Sequence, residues 1–413
     1  MNADALLAAY AHGPGRVVEP GTSPRTSPPE GPSVPLTALR GRFGAALARL
    51  LTDVATPLRW EPWNQYNDHR AYPSARAAGT VDLVVDGRWT LDPVRRALVG
   101  DGIPVVDGPV RVGLVRRRDR LSPGYRDFGD VLTELEVGHV AAALVEHAAR
   151  LGLAARVSGL TVTVTFDGPT PDPAPGPPRT SGVDPLPPHS SGVAVPPRSS
   201  GVVPVPPHSS GIPVPPRSSG PGPVPPRSSG VGPRGIAADP RPLPRRVLDA
   251  VVEAVEDPPA GSPVRDDLRH RLAVRDVEGV ADGWYALDGG LRLLSLGPAV
   301  AGLRPVFGHP PGTIHVASMN LALVTTGDPA AAVASDGPDG YRALLRAAGA
   351  TAQHVCTAAA GAGAFCRPAR STDDGPLEAL VGAPASHALL YLLLVGRPRG
   401  TGFTYDLTPL ETR

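Results

Sequence analysis

The chain has 413 residues and a net charge of +1, from 40 basic against 39 acidic side chains, with 41% hydrophobic, 19% charged and 4% aromatic residues. That balance creates no global field toward nucleic acid or an anionic membrane, so partners are recognised locally. Every basic residue is an arginine, which excludes a Schiff-base lysine, a pyridoxal-phosphate anchor and a phosphate-loop lysine and leaves arginine or backbone N–H groups to hold any phosphate.

Met1–Tyr10 is an Ala/Leu stretch with no basic region before it and no cleavage site after it. No apolar run reaches membrane-spanning length, and the reading is a cytoplasmic protein. Residues 1–34, rich in Pro, Gly and Ser from residue 11, read as a flexible N-terminal segment. Leu36, Leu39, Phe43, Leu47, Leu50 and Val54 then recur at helical spacing and predict a helix that opens a first folded domain, residues 35–168.

Residues 169–233 contain 22 prolines. Within them Pro-Pro-Arg-Thr-Ser-Gly at 177–182 is followed by Pro-Pro-His/Arg-Ser-Ser-Gly units starting at 187, 196, 206, 215 and 225. A period of nine or ten is too short for a helical solenoid, and prolines at this density deny a sheet its donors. The segment reads as an extended linker. After it, Leu243, Val247, Leu248, Val251, Val252 and Val255 predict a helix, and apolar runs at 271–274, 291–296 and 389–395 predict strands of a second domain, residues 234–413. Cys356 and Cys366 are too few for a disulfide framework or a four-ligand zinc site, and no metal site is expected.

The two halves resemble each other. Asp86–Asp92 aligns with Asp282–Asp288 at an offset of 196, continuing to Arg96/Arg292 and Leu98/Leu294. At an offset of 211, Gly138, Ala141, Leu144, Ala148, Ala149, Gly152 and Arg156 fall on Gly349, Ala352, Val355, Ala359, Ala360, Gly363 and Arg367. Each second set is a small-residue helix closed by a glycine suited to a left-handed C-terminal turn. The ordered pair of matches implies a duplicated α+β domain.

Tyr72–Val85, with Pro73-Ser74-Ala75, resembles the Pro-Ser-Ala segment before a core strand in nitroreductase-family flavoenzymes. Val277–Tyr285 and Leu135-Glu136-Val137-Gly138-His139 look like stretches of the azoline dehydrogenases, the branch that oxidises thiazolines and oxazolines in ribosomally made peptides, in the tandem-domain, thiopeptide-type form. The resemblance implies an α+β fold of two tandem nitroreductase-like domains paired as an intramolecular pseudo-dimer, with FMN between them and oxygen reoxidising the flavin. It further implies a heterocyclised precursor peptide as substrate and a cyclodehydratase complex as partner, and it leaves a homodimer open. No nucleic-acid or membrane partner is expected.

Within that resemblance, Pro73, Ser74, Ala75 and Arg76 form a turn beside the flavin pyrimidine, the serine hydroxyl or backbone donating to a ring oxygen. Arg227 and Ser228, in the last repeat unit, match an N-terminal arginine-serine segment. Arg397, after the strand at 389–395, matches a position near the phosphate, and Arg367 joins the cofactor-binding set. The branch's lysine-tyrosine pair cannot be kept whole here. Tyr125 stands at the tyrosine position, while Gly124-Tyr125-Arg126 also looks like Gly340-Tyr341-Arg342, so Tyr125 and Tyr341 are both candidate catalytic residues. His139 and His354 sit on the matching helices, one and five positions after the aligned glycines, where they need not face the same way. Asn64, Gln65, Asn67, Asp68, His69 and Arg70 form a polar cluster among Trp60, Trp63 and Tyr66 that could contact peptide or flavin. Ser262-Pro263-Val264-Arg265, the counterpart of the Pro-Ser-Ala turn, has lost its order, which suggests one FMN site per chain. The alternative class is a flavin-free, peptide-binding scaffold; an ordinary nitro or quinone reductase is a third.

Overall fold

A computed structural model describes residues 27–61, 68–166, 227–232, 235–309, 312–399 and 405–407. The expected linker, apart from 227–232, the N-terminal segment before residue 27, and Trp63, Asn64, Gln65, Tyr66 and Asn67 lie outside the described residues. In the first lobe the elements are β1 (Ser33–Pro35), α1 (Gly44–Ala55), β2 (Arg59–Trp60), β3 (Asp68–His69), β4 (Val81–Val85), β5 (Trp89–Asp92), β6 (Ala97–Val99), β7 (Val110–Arg116), α2 (Phe128–Arg150), β8 (Ala154–Ser158) and β9 (Thr161–Thr165). The second has β10 (Val231–Gly232), β11 (Gly235–Ile236), α3 (Arg245–Glu256), β12 (Arg269–Val274), β13 (Gly283–Leu287), β14 (Leu291–Leu296), β15 (Leu321–Gly327), α4 (Pro329–Asp336), α5 (Gly340–Gly361), β16 (Phe365–Ala369), α6 (Asp374–Leu380), β17 (Ala388–Gly396) and β18 (Tyr405–Asp406).

Each lobe is built on an antiparallel sheet, in the order β1-β6-β5-β4-β7-β9-β8 in the first and β14-β13-β12-β15-β17-β16 in the second. Leaving β1 aside, both sheets place their strands third, second, first, fourth, sixth, fifth in chain order. The pairings also settle the register of the repeat. In the first lobe Trp89 lies opposite Val85, Val85 opposite Val112, Val112 opposite Val162, and Val162 opposite Val157. In the second, Tyr285 lies opposite Leu272, Leu272 opposite Leu323, Leu323 opposite Leu393, and Leu393 opposite Pro368. The walk begins on residues aligned at 196 and ends beside Arg156 and Arg367, which are aligned at 211, so both offsets read from the sequence are sheet equivalences.

The alignment of Arg96 with Arg292 and Leu98 with Leu294 does not hold. Leu91 pairs with Leu98, whereas its counterpart Leu287 pairs with Leu291. The second hairpin turns three residues earlier, and Leu291 takes the place of Leu98. The first helix also differs from the pattern. Leu36–Ala38 is a single 3-10 turn and α1 begins only at Gly44. Gly41 has φ +88, outside the helical region, and a Cβ there would come within 2.6 Å of the Val106 backbone, so the chain breaks here before α1.

Burial follows the patterning. The first sheet packs one face on α1 and α2 through Leu83, Val85, Val112, Leu114, Val162 and Val164, and β7 alternates buried and exposed residues accordingly. The central strands of the second sheet are buried on both faces, while its edge strand β14 is largely exposed. Leu272, Leu323 and Leu393 point into one cluster, while Ala273, Ala322 and Leu392 point into another covered by residues 299–307, 314–319 and α6. The unbroken apolar run of β17 is therefore two-sided burial.

Helices α2 and α5 meet at the seam between the lobes. They carry buried residues around almost their whole circumference because each faces both a sheet and the other helix. A Cβ on Gly138 would overlap the Arg346 carbonyl oxygen and come within 2.8 Å of its carbon, and one on Gly349 would do the same to the Leu135 carbonyl, at 2.9 Å from its carbon. Leu135 and Arg346 are themselves 211 apart, so the contact is reciprocal, as at an isologous two-fold interface. Cross-seam bonds join residues 208, 211 and 212 apart. They climb both helices together, which makes the helices parallel, with a pseudo-two-fold axis running along them. Both helices close at glycines in the left-handed region, Gly152 at φ +70 and Gly363 at φ +83. Beside the seam, β18 pairs with β2, joining the last described residues to the first lobe.

Candidate functional site

Buried polar groups on α2 find partners on both sides of the seam, as such groups must. Glu134 meets Arg116 of its own lobe at 2.5 Å and Arg346 of the other at 2.7 Å. Glu146 accepts from His354 at 2.5 Å and from Thr357 at 2.9 Å. Burial opposes the Glu146 charge, but these two donors outweigh it and hold the carboxyl below its ordinary range. His139 reaches Tyr391 of β17, Nε2 to hydroxyl 3.0 Å. Burial, the charge of Arg227 and His354 push its imidazole down to about 3, against support from Gln353. The two helix histidines, which the spacing left free to face differently, both look across the seam, because relative to the 211 offset they stand one helical turn apart.

Glu136 organises the Pro-Ser-Ala turn. Its Oε2 accepts from Ser74 Oγ at 2.7 Å and Thr80 Oγ1 at 2.8 Å, and Ser74 Oγ accepts from the Gly79 N–H at 2.9 Å. The single Ser74 hydroxyl proton is thus committed to Glu136, and the Ala77 and Ala78 N–H groups close the turn on the Ser74 and Ala75 carbonyls. Burial drives the Glu136 carboxyl up, against the pull of those hydroxyls and Arg70. Arg76 and Ala77 both occupy the left-handed region, φ 52 and 53. Two consecutive non-glycine residues there cost about 1–2 kcal/mol each, and the Ser74 tie, with Arg120 donating to the Gly79 carbonyl at 2.6 Å, holds them.

This turn points Arg76 at residues of both lobes. Its guanidinium lies 5.8 Å from the centre of the Tyr125 ring. Together with Arg367 of β16 it acts on His309, whose imidazole is lowered first by partial burial, then by Arg367, then by Arg76. His309 Nε2 is 2.9 Å from Ser371 Oγ. On the other side of the turn, Gln353 of α5 donates to the Ala71 carbonyl at 3.1 Å and stands beside His139.

Beyond His139 and Tyr391 lies the segment Arg227–Gly230. The Ser228 carbonyl accepts from Cys366 N–H, attaching the segment to the edge of β16. The Arg227 carbonyl accepts from Arg59 Nη2 at 2.5 Å, Arg59 meets Glu61 Oε1 at 2.8 Å, and His69 Nε2 lies 2.9 Å from Glu61 Oε2. Burial lowers His69, only partly offset by Glu61; burial opposes the Glu61 charge, but His69, Arg59 and Arg227 together keep it low. Arg59 and Glu61 carry no motif, and sequence reading missed both; His69, in the polar cluster next along the chain, was the nearest signal.

Of the sequence-derived residues, Pro73–Arg76, Tyr125, Arg227, Ser228 and Arg367 line this one stretch of seam. Two others sit apart. Arg397 Nη1 donates to the Pro242 carbonyl at 3.0 Å, and its backbone N–H donates to Asn320 Oδ1 at 3.1 Å. Tyr341 is buried in the core of the second lobe, where its hydroxyl acts on Arg370. The two Gly-Tyr-Arg triplets are not equivalent: they stand 216 apart, one in a 3-10 turn before α2 and the other opening α5. Arg265, which ends the Ser262-Pro263-Val264-Arg265 stretch of the second lobe, is paired to Asp267 and Asp336. No group of His, Cys, Asp and Glu that could hold a metal occurs among the described residues, and no helix of these is long and apolar enough to cross a membrane.

The fold is therefore that of two tandem nitroreductase-like lobes paired as an intramolecular pseudo-dimer. A crystal structure from Anabaena variabilis, assigned to the nitroreductases, superposes over 96% of this chain and 99% of its own with a TM-score of 0.65 at 16% identity. Partial superpositions cover the E. coli microcin synthetase McbBCD complex with truncated pro-MccB17 bound (20% identity, 41% of this chain and 70% of that one, TM-score 0.34) and an FMN-dependent nitroreductase from Clostridium difficile (13%, 45% and 91%, 0.31). No family model matches the chain, and no curated protein does.

Proposed function

We propose that this chain is an FMN-dependent oxidoreductase that dehydrogenates thiazoline or oxazoline rings of a ribosomally made peptide to the aromatic azoles, with one cofactor site per chain. The observation that carries the reading is the convergence, on one stretch of seam, of the Pro73–Arg76 turn from the first lobe and the Arg227–Ser229 segment from the second. The donors fit the cofactor's two demands: arginine forks for a phosphate, and backbone N–H groups on a strained, held turn for ring oxygens. Bound FMN would supply the acceptor for the two electrons and hydrogen that leave the azoline. Arg227 and Ser228 would hold the phosphate end, Pro73–Arg76 the pyrimidine end. Tyr125, whose ring lies 5.8 Å from the Arg76 guanidinium, would take the ring proton. Arg76 and Arg367 would hold the peptide's carbonyls. In the second lobe the Ser262-Pro263-Val264-Arg265 stretch has lost the order of the Pro-Ser-Ala turn and its arginine is bound by two aspartates, which supports a single site.

The test begins with the visible spectrum of the purified protein. A yellow protein with one FMN per chain, and a loss of two hydrogens per ring from an azoline peptide by mass spectrometry, is the expected result. A nitroaromatic-dependent consumption of NADPH with no change in the peptide refutes the azoline reading. A colourless protein that FMN cannot reconstitute refutes the enzyme and leaves a scaffold.

A further inference from the structure

The four margins of the two sheets are closed in different ways. The first sheet ends at β1, a three-residue strand that finishes in Pro35, and at β8, where Val157 N–H donates to the Gly261 carbonyl. The second ends at β16, where Cys366 N–H donates to the Ser228 carbonyl, and at β14, whose outward backbone groups have no partner among the described residues. Leu293, Leu294 and Leu296 of β14 are 45%, 41% and 70% exposed, whereas no other described strand carries more than one large apolar residue so exposed. Leucines on an open edge invite another strand. The counterpart in the first lobe shows the result: β1 adds antiparallel to β6, and Ala97, Leu98 and Val99 are buried.

We infer that β14 is where two copies of this chain associate, strand against strand about a two-fold axis. The order of residues in β14 selects a second copy. Leu291-Arg292-Leu293-Leu294-Ser295-Leu296 reads apolar, polar, apolar in both directions from the bond between residues 293 and 294, and a two-fold contact sets a strand against its own reverse. In a regular strand the adjoining leucines would put the two halves on opposite faces. Here Leu291 lies opposite Leu287, Leu293 opposite Tyr285, Ser295 opposite Trp284 and Leu296 opposite Gly283, so Leu294 is the extra residue of a bulge. Leu291, Leu293 and Leu296 therefore share the face of Tyr285 and Leu287, while Arg292 and Ser295 share the other. Antiparallel pairing centred on the 293–294 bond sets Leu291 against Leu296, Arg292 against Ser295 and Leu293 against Leu294 of the second copy. Arg292, the one charge of the strand, is already paired with Asp288 at 2.6 Å, so no partner of opposite charge is needed. The contact joins two six-stranded sheets into one.

Sedimentation velocity of the full chain over a concentration series tests this, with the parent expected at twice the 42.5 kDa chain mass. Leu293→Glu should weaken self-association by about 100-fold, tenfold for each of its two occurrences in the contact. Leu294→Arg should do the same, and both should keep the far-ultraviolet spectrum of the parent, because these positions face solvent in the single chain. Mixing the two variants in equal amounts should restore dimers with one chain of each kind, since the two replacements then stand opposite each other and the second 293–294 pair remains leucine on leucine. Val94→Glu, a like change at an exposed apolar residue of the first lobe, should leave association unchanged. A dimer that survives Leu293→Glu, or variants that stay monomeric when mixed, overturn the proposal. So does a parent that is monomeric across the series, and hydrogen exchange then identifies the alternative: slow exchange in β14 means that another part of the same chain covers it, and fast exchange means an edge open to a foreign strand. None of these readouts depends on a bound flavin.

Discussion

Gly138→Ala isolates the seam better than any charge change. Glycine inside a helix is worth about 1 kcal/mol less than alanine, so propensity alone predicts that the substitution stabilises. The structure reverses the sign. The new methyl would overlap the Arg346 carbonyl oxygen and stand 2.8 Å from its carbon and 2.9 Å from Ala350 N, where ordinary carbon contacts are about 3.5–4.0 Å. The obstacles are backbone atoms of α5 and cannot rotate away, so the helices must part by about 1 Å. Overpacking of this kind costs about 1–3 kcal/mol. The same movement stretches the 2.7 Å Glu134–Arg346 bond beyond hydrogen-bond length, a further loss of about 1.5–3 kcal/mol. Set against the propensity gain, the expected net destabilisation is about 1.5–5 kcal/mol, read from urea unfolding with the parent and variant in parallel. Gly349→Ala should cost about the same by pseudo-symmetry, and the double variant should cost less than the sum, because helices already separated by one methyl have room for the second. A neutral or stabilised Gly138→Ala, or strict additivity, would refute the packing argument.

Two further outcomes follow from the seam's buried charges and imidazoles. Glu134→Ala removes the shared partner of Arg116 and Arg346 and leaves Arg346 a buried cation, so unfolding should become easier by about 3–5 kcal/mol. Asp288→Ala, at a solvated pair with Arg292, is the control and should leave the urea midpoint close to that of the parent. His139 and His147 are pushed down by burial to about 3 and about 4; the unfolded chain, with imidazoles near about 6.5, binds protons that the folded chain refuses. Stability should therefore fall as pH drops from about 6.5 toward 4, by up to about 1.4 kcal/mol per pH unit for each histidine, and His147→Gln should flatten that slope in urea midpoints measured across the range.

Local pattern and internal repetition made much of the molecule readable before any coordinates. Apolar spacing located α3, and the unbroken run at 389–395 located β17. The glycines at 152 and 363 announced where the helices stop, whereas the matched glycines at 138 and 349 were legible only as a repeat, and the fold showed that two backbones touch there. Repetition extended this reading, because two copies that must build the same sheet keep the same spacing between the residues that pair. Its failures are equally physical. Leu98 matched Leu294 in letters, but the length of the hairpin turn sets the register, and a turn three residues earlier moved the counterpart to Leu291. The Gly-Tyr-Arg triplets matched in letters and stand at different points of the helix entry.

What a sequence cannot encode visibly is a contact between residues far apart in it. Arg59, Glu61 and His69 meet Arg227 only because β2 and β3 are folded against the edge of the other lobe's sheet. The commitment of the Ser74 proton to Glu136, the turn of His139 toward Tyr391 and the engagement of Arg397 with Pro242 rather than with Arg227 arise in the same way. The order of residues was enough to establish two like α+β lobes, because periodicity and repetition are local properties, while the face on which they join came from the fold. Which side chains converge on that face, and which donors there remain without a partner, was left to long-range packing, since hydrogen bonding and charge balance depend on distances across the seam.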